Sequence, residues 1–522
     1  MLYTRVCSAA VNGIQGQLID VECDVANGLP QTTIVGLPDS AVRESIERVR
    51  AAIKNCGLSF PLGRITINLA PADLRKEGSA FELAIASGIL ICTGQLSSEV
   101  VAERLLIGEL SLDGSLKPVA GVLPMVHAAR MQGVKAVILP VDNVAEAKLI
   151  EGIHSIGIRC LADLVNVTNI QQHVSCAVQH NCEGETPPAA PLTDEPQFDD
   201  VRGQQHAKRA LLIAAAGMHN IALIGPPGSG KTMLVRRLPS IMPVLDDEEA
   251  LEVMKIYSVA GLWTNRTRLI RRRPFRAPHH TITARGLLGG GSTPKPGEAS
   301  LAHCGILFLD ELAEFPRHVL DVLRQPLEDR HVTISRAKAV IQYPTSFMLA
   351  ATTNPCPCGY AGDWSGARRC QCSPAVVRRY LARLSGPLID RIDMHVAVPR
   401  VPFDEIDDSG ASGSSRTAEK SSANMLQRVR LAQMRQKQRY AHDGIYYNCE
   451  LNGELLRRYC SLRRDSRVLL RQAFESLAMS ARAYARVLKI ARTIADLEAA
   501  DHIETSHIAE AVQYRALDRP VS

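Results

Sequence analysis

The stretch that decides the fold runs Asn220-Ile-Ala-Leu-Ile224, then Gly225-Pro-Pro-Gly-Ser-Gly-Lys231-Thr232. An apolar run that suits a buried strand leads into GxxxxGK[ST], and Met233 to Leu238 can continue the chain as a helix. Glycines let backbone N–H groups close around phosphate oxygens, and the following helix N-terminus favours negative charge. Gly225, Pro226, Pro227, Gly228, Ser229 and Gly230 therefore read as a phosphate-binding loop for ATP. Lys231 can reach the β- and γ-phosphates, and Thr232 can ligate Mg²⁺.

A second apolar run, Gly305-Ile-Leu-Phe-Leu309, ends in Asp310-Glu311. A parallel sheet binds ligands at the edge where its strands end, so two acids delivered there suit a nucleotide site. Asp310 reads as a further Mg²⁺ ligand, and Glu311 as the base that polarises an attacking water. A third strand, Ser346 to Asn354, ends in a polar cluster whose Asn354 can orient that water or touch the γ-phosphate. Arg391, in Asp390-Arg-Ile-Asp393, is a candidate to stabilise charge at a neighbouring subunit's nucleotide. Arg482 and Arg486 lie four apart on one helical face, and either can swing to the γ-phosphate; Arg482 is the working choice.

Cys356, Cys358, Cys370 and Cys372 form CxC-x₁₁-CxC directly after Asn354. Four thiolates this close in sequence can surround one structural Zn²⁺, with no open position for water. The other reading is exposed reduced thiols or a redox pair. His279 and His280 read as hydrogen-bonding or phosphate-contacting residues rather than metal ligands.

The chain of 522 residues is 46% hydrophobic and 22% charged, enough for several cores without disulfides. No run of about 18 apolar residues is present, so no membrane partner is expected. The first residues lack a basic segment followed by an apolar stretch, which points to the cytoplasm. Fourteen cysteines then read as free thiols or metal ligands. Residues 1–166 have the pattern of a mixed α/β domain, with strand-like Arg64 to Ala70 and Val134 to Pro140 and helix-like Ser40 to Asn55 and Phe81 to Ile91. An acidic, proline-rich linker is expected over 167–200, a nucleotide-binding core over 201–402, a flexible connection over 403–423, and a helical lid over 424–522.

In order along the chain, these features resemble an AAA+ ATPase: Walker A, Walker B, sensor 1, arginine finger, and sensor 2 on a helical lid. The runs RPFRAPHHT (273–281), GGG (289–291), PGEASLAH (296–303), LFLDEL (307–312), NPCPCGY (354–360) and SGPLIDRID (385–393) resemble the magnesium-chelatase-like ATPases of the ComM/YifB type. That resemblance covers nearly the whole chain. It implies an α/β P-loop core with a parallel sheet, a homo-hexameric ring without an obligate protein partner, and single-stranded or branched DNA as substrate. It implies a helicase acting in branch migration during natural transformation. The insert before Asp310 and a hairpin at about His331 to Tyr343 are expected to face a central pore. A metal-insertion ATPase and a protein-remodelling ATPase are the alternatives.

Leu74 to Ala80 and Gly108 to Val119 are similar to segments of Lon-type protease domains. A Ser–Lys dyad needs a lysine just after the second segment, and Ala120-Gly-Val-Leu-Pro-Met125 has none. A Lon-like fold without peptidase activity is expected, with Ser79 not a nucleophile.

The net charge is only +6, but it is unevenly spread. Residues 264–285 carry seven arginines and no acids, and residues 426–492 carry 15 Lys/Arg against five Asp/Glu. Clustered arginine suits phosphate-backbone binding, and Trp263 and Phe275 can stack on unpaired bases. A solvated helical face with intersubunit salt bridges accounts for the same charge; the resemblance favours DNA.

Overall fold

The computed structural model describes residues 3–72, 76, 78–166, 196–262, 269–291, 294–336, 339–362, 369–384, 386–401, 421–477 and 479–515. The chain divides into two compact units. The first comprises Met1–Pro187, Asp247–Ile270 and Ser335–Tyr343; the second comprises Pro188–Asp246, Arg271–Ile334 and Pro344–Ser522. Residues 247–270 and 335–343, which lie inside the expected 201–402 core, thus group with the first unit.

In the first unit the strands are β1 (Tyr3–Asn12), β2 (Gln15–Ala26), β3 (Gln31–Val35), β4 (Arg64–Ala70), β5 (Arg104–Leu106), β6 (Glu109–Leu110), β7 (Leu116–Lys117), β8 (Ala136–Pro140) and β9 (His154–Ile158). Seven form one mixed sheet in the order β3-β4-β2-β1-β5-β8-β9. The helix Ser40–Asn55 starts where the Asp39 carboxylate accepts the Val42 N–H at 2.7 Å. It buries Val42, Ile46, Val49 and Ile53, spaced as one helical face requires. The helix Glu82–Cys92 is buried along its whole length and shares that core. A second core holds Leu123, Val126 and Ala129 of the helix Val122–Met131 together with Met254. Ser258, from the helix Asp247–Ala260, ties that helix to the unit. Its hydroxyl hydrogen-bonds the buried Glu146 carboxylate at 2.5 Å, and its carbonyl accepts the Gly121 N–H at 3.1 Å.

The remaining strands are β10 (Ile221–Ile224), β11 (Phe275–Arg276), β12 (Gly289–Gly290), β13 (Lys295–Pro296), β14 (Ile306–Leu309), β15 (His331–Arg336), β16 (Ala339–Pro344), β17 (Met348–Thr353) and β18 (Met394–Ala397). Five form a sheet in the order β11-β14-β17-β10-β18, with every pair parallel. The strands β15 and β16 pair as the expected hairpin. The inner strands β10, β14 and β17 are almost wholly buried, as a sheet covered on both faces demands. Five helices follow at the C-terminal end: Ser422–Arg439, Gly453–Tyr459, Arg464–Ser476, Ala481–Leu497 and Thr505–Gln513.

Most of the expected linker lies outside the described residues, as does the connection from 403 to 420. Where the linker ends, Phe198 is fully buried and its N–H donates to Ser422 Oγ at 2.7 Å. No helix among the described residues is long and apolar enough to cross a membrane.

The C-terminal helices close around Asp496, whose side chain is fully buried. It accepts from Arg439 at 3.0 Å, pairs with Arg492 at 3.1 Å and accepts from Asn448 Nδ2 at 2.9 Å. Breaking a buried pair from one side strands the other charge at about 3–5 kcal/mol. Asp496→Ala is therefore expected to lower the melting temperature clearly in thermal unfolding, and a variant melting like the wild type would contradict this account of the helical end.

Candidate active site and metal centre

Strand register sets the site. Ile224 lies opposite Thr353, and Leu309 lies opposite Ala351, so the phosphate loop, Asp310 and Asn354 leave one sheet edge from adjacent strands. Gly225 sits against β18's end so closely that a Cβ would stand 2.1 Å from Val398 O. Gly230 has φ +85°, a conformation glycine reaches freely, and the helix Lys231–Arg236 begins there.

Lys231 is buried, and its Nζ donates to Gly225 O (2.7 Å), Pro226 O (2.9 Å) and Asn354 Oδ1 (3.3 Å). Burial pushes the ammonium below the usual lysine range, against the pull of Asp310 and Glu311. Thr232 Oγ1 lies 3.1 Å from both Asp310 oxygens, which brings the two expected Mg²⁺ ligands together. Ser229 Oγ is buried without a partner among the described residues, and such a hydroxyl in a phosphate loop fits an external acceptor. The donor set, one hydroxyl and one carboxylate beside a buried ammonium, suits a nucleotide with a divalent cation.

Sequence reading missed Thr352. Its hydroxyl donates to Asp310 Oδ1 and accepts the Glu311 backbone N–H at 3.1 Å. Glu311 has φ +54°, an uncommon conformation for a non-glycine residue, and that hydrogen bond helps to hold it. The signal available was the polar run Thr352-Thr-Asn354 at a strand end.

The three arginines are each paired with a carboxylate of the second unit. Arg391 reaches Glu328 Oε1 at 2.5 Å and donates to Pro387 O at 2.7 Å. Arg482 lies 3.9 Å from the same Glu328 oxygen, with its side chain 61% exposed. Neither bonds to the phosphate loop. Arg486 is pinned instead to Asp393 at 2.9 Å with only 15% of its side chain exposed. The Asp393 carboxyl is buried, which alone would raise it, yet His219 and Arg486 hold it well below the usual range. Glu328, the carboxylate shared by two of the expected site arginines, had no signal in the sequence.

The four cysteines do converge. Their sulfurs all lie within 4.8 Å of one another. Cys356 and Cys358 stand 3.3 Å apart, Cys356 and Cys370 3.7 Å, and Cys358 and Cys370 3.5 Å. Four sulfurs at Zn–S distances of about 2.3 Å would stand about 3.8 Å apart, so the cluster fits a tetrahedral ion. The Ala361 N–H donates to Cys356 Sγ at 3.3 Å, and the Cys372 N–H to Cys370 Sγ at 3.4 Å. Burial raises the Cys358 thiol, but N–H groups of Tyr360 and Gln371 outweigh it and bring the group down to about 6.

In the first unit, Ser79 Oγ donates to Glu109 Oε2. No lysine is bonded to Ser79 among the described residues. Lys76 is buried with its ammonium on Pro71 O, and Leu74 lies outside the described residues.

The fold and site define a P-loop ATPase core with a C-terminal helical region, joined to a mixed α/β unit. Family models described as magnesium chelatase, subunit ChlI, match residues 197–406; subunit ChlI of Mg-chelatase, residues 21–143; and the ChlI C-terminal region, residues 419–515. The chain is 42% identical over 516 residues to competence protein ComM of Haemophilus influenzae, covering 98% of this chain and 97% of that protein. It is 41% identical over 523 residues to YifB of Escherichia coli, covering 99% and 98%. It is 26% identical over 179 residues to Lon protease 2 of Bacillus subtilis, covering 30% and 32%. The chain belongs to the ComM/YifB family of magnesium-chelatase-like AAA+ ATPases.

Two outcomes follow from the geometry. Thr352→Val keeps the side-chain shape and removes the hydroxyl under Asp310 and Glu311; a supporting residue of this kind is worth about 10–100-fold. ATP turnover in a coupled assay should fall by that order, and unchanged turnover would remove Thr352 from the site. Ser79→Ala should leave casein cleavage as it is in the wild type, at background with or without ATP; ATP-stimulated cleavage abolished by the substitution would restore a protease.

Proposed function

We propose that this protein is a ring-forming, ATP-driven motor acting on DNA, a homo-hexameric helicase that promotes branch migration during recombination in natural transformation. The observation that carries the reading is the meeting of Lys231, Thr232, Asp310, Glu311 and Asn354 at one sheet edge. Lys231 exchanges its two loop carbonyls for phosphate oxygens, and the backbone from Gly225 to Gly230 cradles them. Thr232 and Asp310 hold Mg²⁺, which supplies charge neutralisation at the β- and γ-phosphates. Glu311 polarises the attacking water, and Asn354 orients it.

Arg391 serves the neighbouring subunit's nucleotide, for which it must release Glu328. Arg482 rather than Arg486 is the lid residue that answers the γ-phosphate, because it is exposed and loosely paired while Arg486 is half-buried and tightly paired with Asp393. Zn²⁺ at the four cysteines is structural. The protein works in the cytoplasm, without an obligate protein partner, and its first unit is a collar or DNA-docking module rather than a peptidase.

Membership of the ComM family supports the DNA half of the reading. So does an open cleft of about 420 Å³ lined by Thr283, Arg285, Gly286, Gly289, Gly290, Lys295 and Pro296. Arg285 and Lys295 make no ion pair among the described residues, which leaves both for phosphates. Trp263, Arg266 and Arg268 lie outside the described residues. The chelatase descriptions of the matching family models favour a second reading, a metal-insertion or protein-remodelling ATPase. Turnover accelerated by DNA separates the motor from both.

Forked and four-way DNA should be unwound by wild type with ATP and not by Lys231→Ala. No ATP-dependent product from wild type would overturn the helicase reading. Glu311→Gln should bind nucleotide while turnover drops by about 100-fold or more, the usual worth of a positioned base; hydrolysis at the normal rate would show that another group activates the water.

A further inference from the structure

We propose that the four-cysteine knuckle is a metal-held clamp on the phosphate loop, so that occupancy of the thiolate site sets nucleotide affinity. The proposal rests on reading Cys356, Cys358, Cys370 and Cys372 as a Zn²⁺ site and adds what that site does. Cys356 follows Asn354, the residue that receives Lys231, by two positions, and it is fully buried. The chain then turns: the Gly359 N–H donates to Cys356 O at 2.9 Å, and Gly359 has φ +85°. A Cβ on Gly359 would stand 2.4 Å from Pro227 Cδ and 2.7 Å from Cγ. The turn therefore touches the phosphate loop at a distance that excludes even a methyl group. Pro227 has its φ locked by its ring, so the loop cannot yield there by rotating φ.

The loop is gripped from its other side too, where Val398 O closes on Gly225. Two residues beyond Val398, the Arg400 guanidinium lies 5.2 Å from the Tyr360 ring centroid, which joins that grip to the knuckle. With a cation at their centre, four sulfurs fix the turn that carries Gly359. Without it, the sulfurs within 4.8 Å of one another keep only weak thiol and N–H hydrogen bonds in place of four metal–sulfur bonds. The wall at Pro227 then loosens, and the loop N–H groups lose the convergence that phosphate binding needs.

The test measures zinc content and the Kd of a fluorescent ADP analogue on the full chain, so it requires neither hydrolysis nor DNA and stands apart from the motor reading. Wild type purified without chelators should carry zinc at about one ion per chain. Stripping that zinc should raise the Kd by about tenfold or more, the scale on which small misplacements in a site act, and adding Zn²⁺ should restore it. Gly359→Ala should retain zinc and raise the Kd comparably, and adding Pro227→Ala to the same chain should recover most of the loss, because the smaller side chain makes room. A loss that Pro227→Ala does not relieve would trace to backbone strain and overturn the contact. Stoichiometric zinc with a nucleotide affinity indifferent to its removal overturns the clamp and leaves the metal site standing. Wild type without zinc brings down the metal site and the clamp together. Should Gly359→Ala not fold, stripping and restoring the wild type decides the matter alone.

Discussion

Asp310 is the point on which the second unit's chemistry turns. Its carboxylate receives Thr232 from the helix after the phosphate loop and Thr352 from the neighbouring strand. Two segments far apart in sequence are thus held to one group through charge-assisted hydrogen bonds, the strong kind. The parallel register makes this possible, because strands that end at one level deliver their next residues to one place. Moving β14 by one residue along β17 would turn Asp310 to the other face, and no loop adjustment could return it. Glu311 follows with a left-handed backbone, so the two acids point differently although they are adjacent. The Asp310 carboxylate is bound between the helix after the loop and β17, and the Glu311 carboxylate makes no side-chain hydrogen bond among the described residues.

The arginines show a division that charge and spacing alone do not reveal. Arg482 and Arg486 share a helical face, yet one is exposed beside Glu328 and the other is sunk against Asp393. A half-buried guanidinium on a buried carboxylate is expensive to remove, because the carboxylate left alone keeps its desolvation penalty. An exposed pair at 3.9 Å contributes little and is exchanged readily. Of the two, Arg482 is therefore the one displaced at lower cost. Arg391 is intermediate: its side chain is only 11% exposed and its pairing with Glu328 is tight, so moving it requires a competing anion of comparable strength.

Much of this architecture was legible because its signals are local. The helix Ser40–Asn55 and the strand Arg64–Ala70 coincide with their expected bounds, since apolar periodicity and caps lie within each segment. The phosphate loop, the acids after β14 and Asn354 after β17 were legible for the same reason. What was not legible depends on distant partners. The grouping of residues 247–270 with the first unit rests on contacts such as Ser258 with Glu146, 112 positions away. Phe198 sits in a segment whose acids and prolines read as unstructured, yet it is pinned 224 positions away by Ser422. Thr352 showed only as part of a polar run at a strand end and Glu328 not at all, and only strand register and helix packing give them their partners.

Distant partners also take up part of the basic charge. Of the seven arginines between 264 and 285, Arg273 is buried and donates to Pro243 O at 2.8 Å and Cys304 O at 2.7 Å. Arg276 holds Glu298 through two hydrogen bonds at 2.6 and 2.7 Å. These two stabilise the insert and are not open to a polyanion. A guanidinium satisfied by carbonyls inside the fold releases no counterion when DNA arrives, so it adds nothing to the salt dependence of binding. The cationic surface that the proposed function requires is counted after internal pairing, and by that count Arg285 and Lys295, lining one open cleft, weigh more than the density of arginine around them.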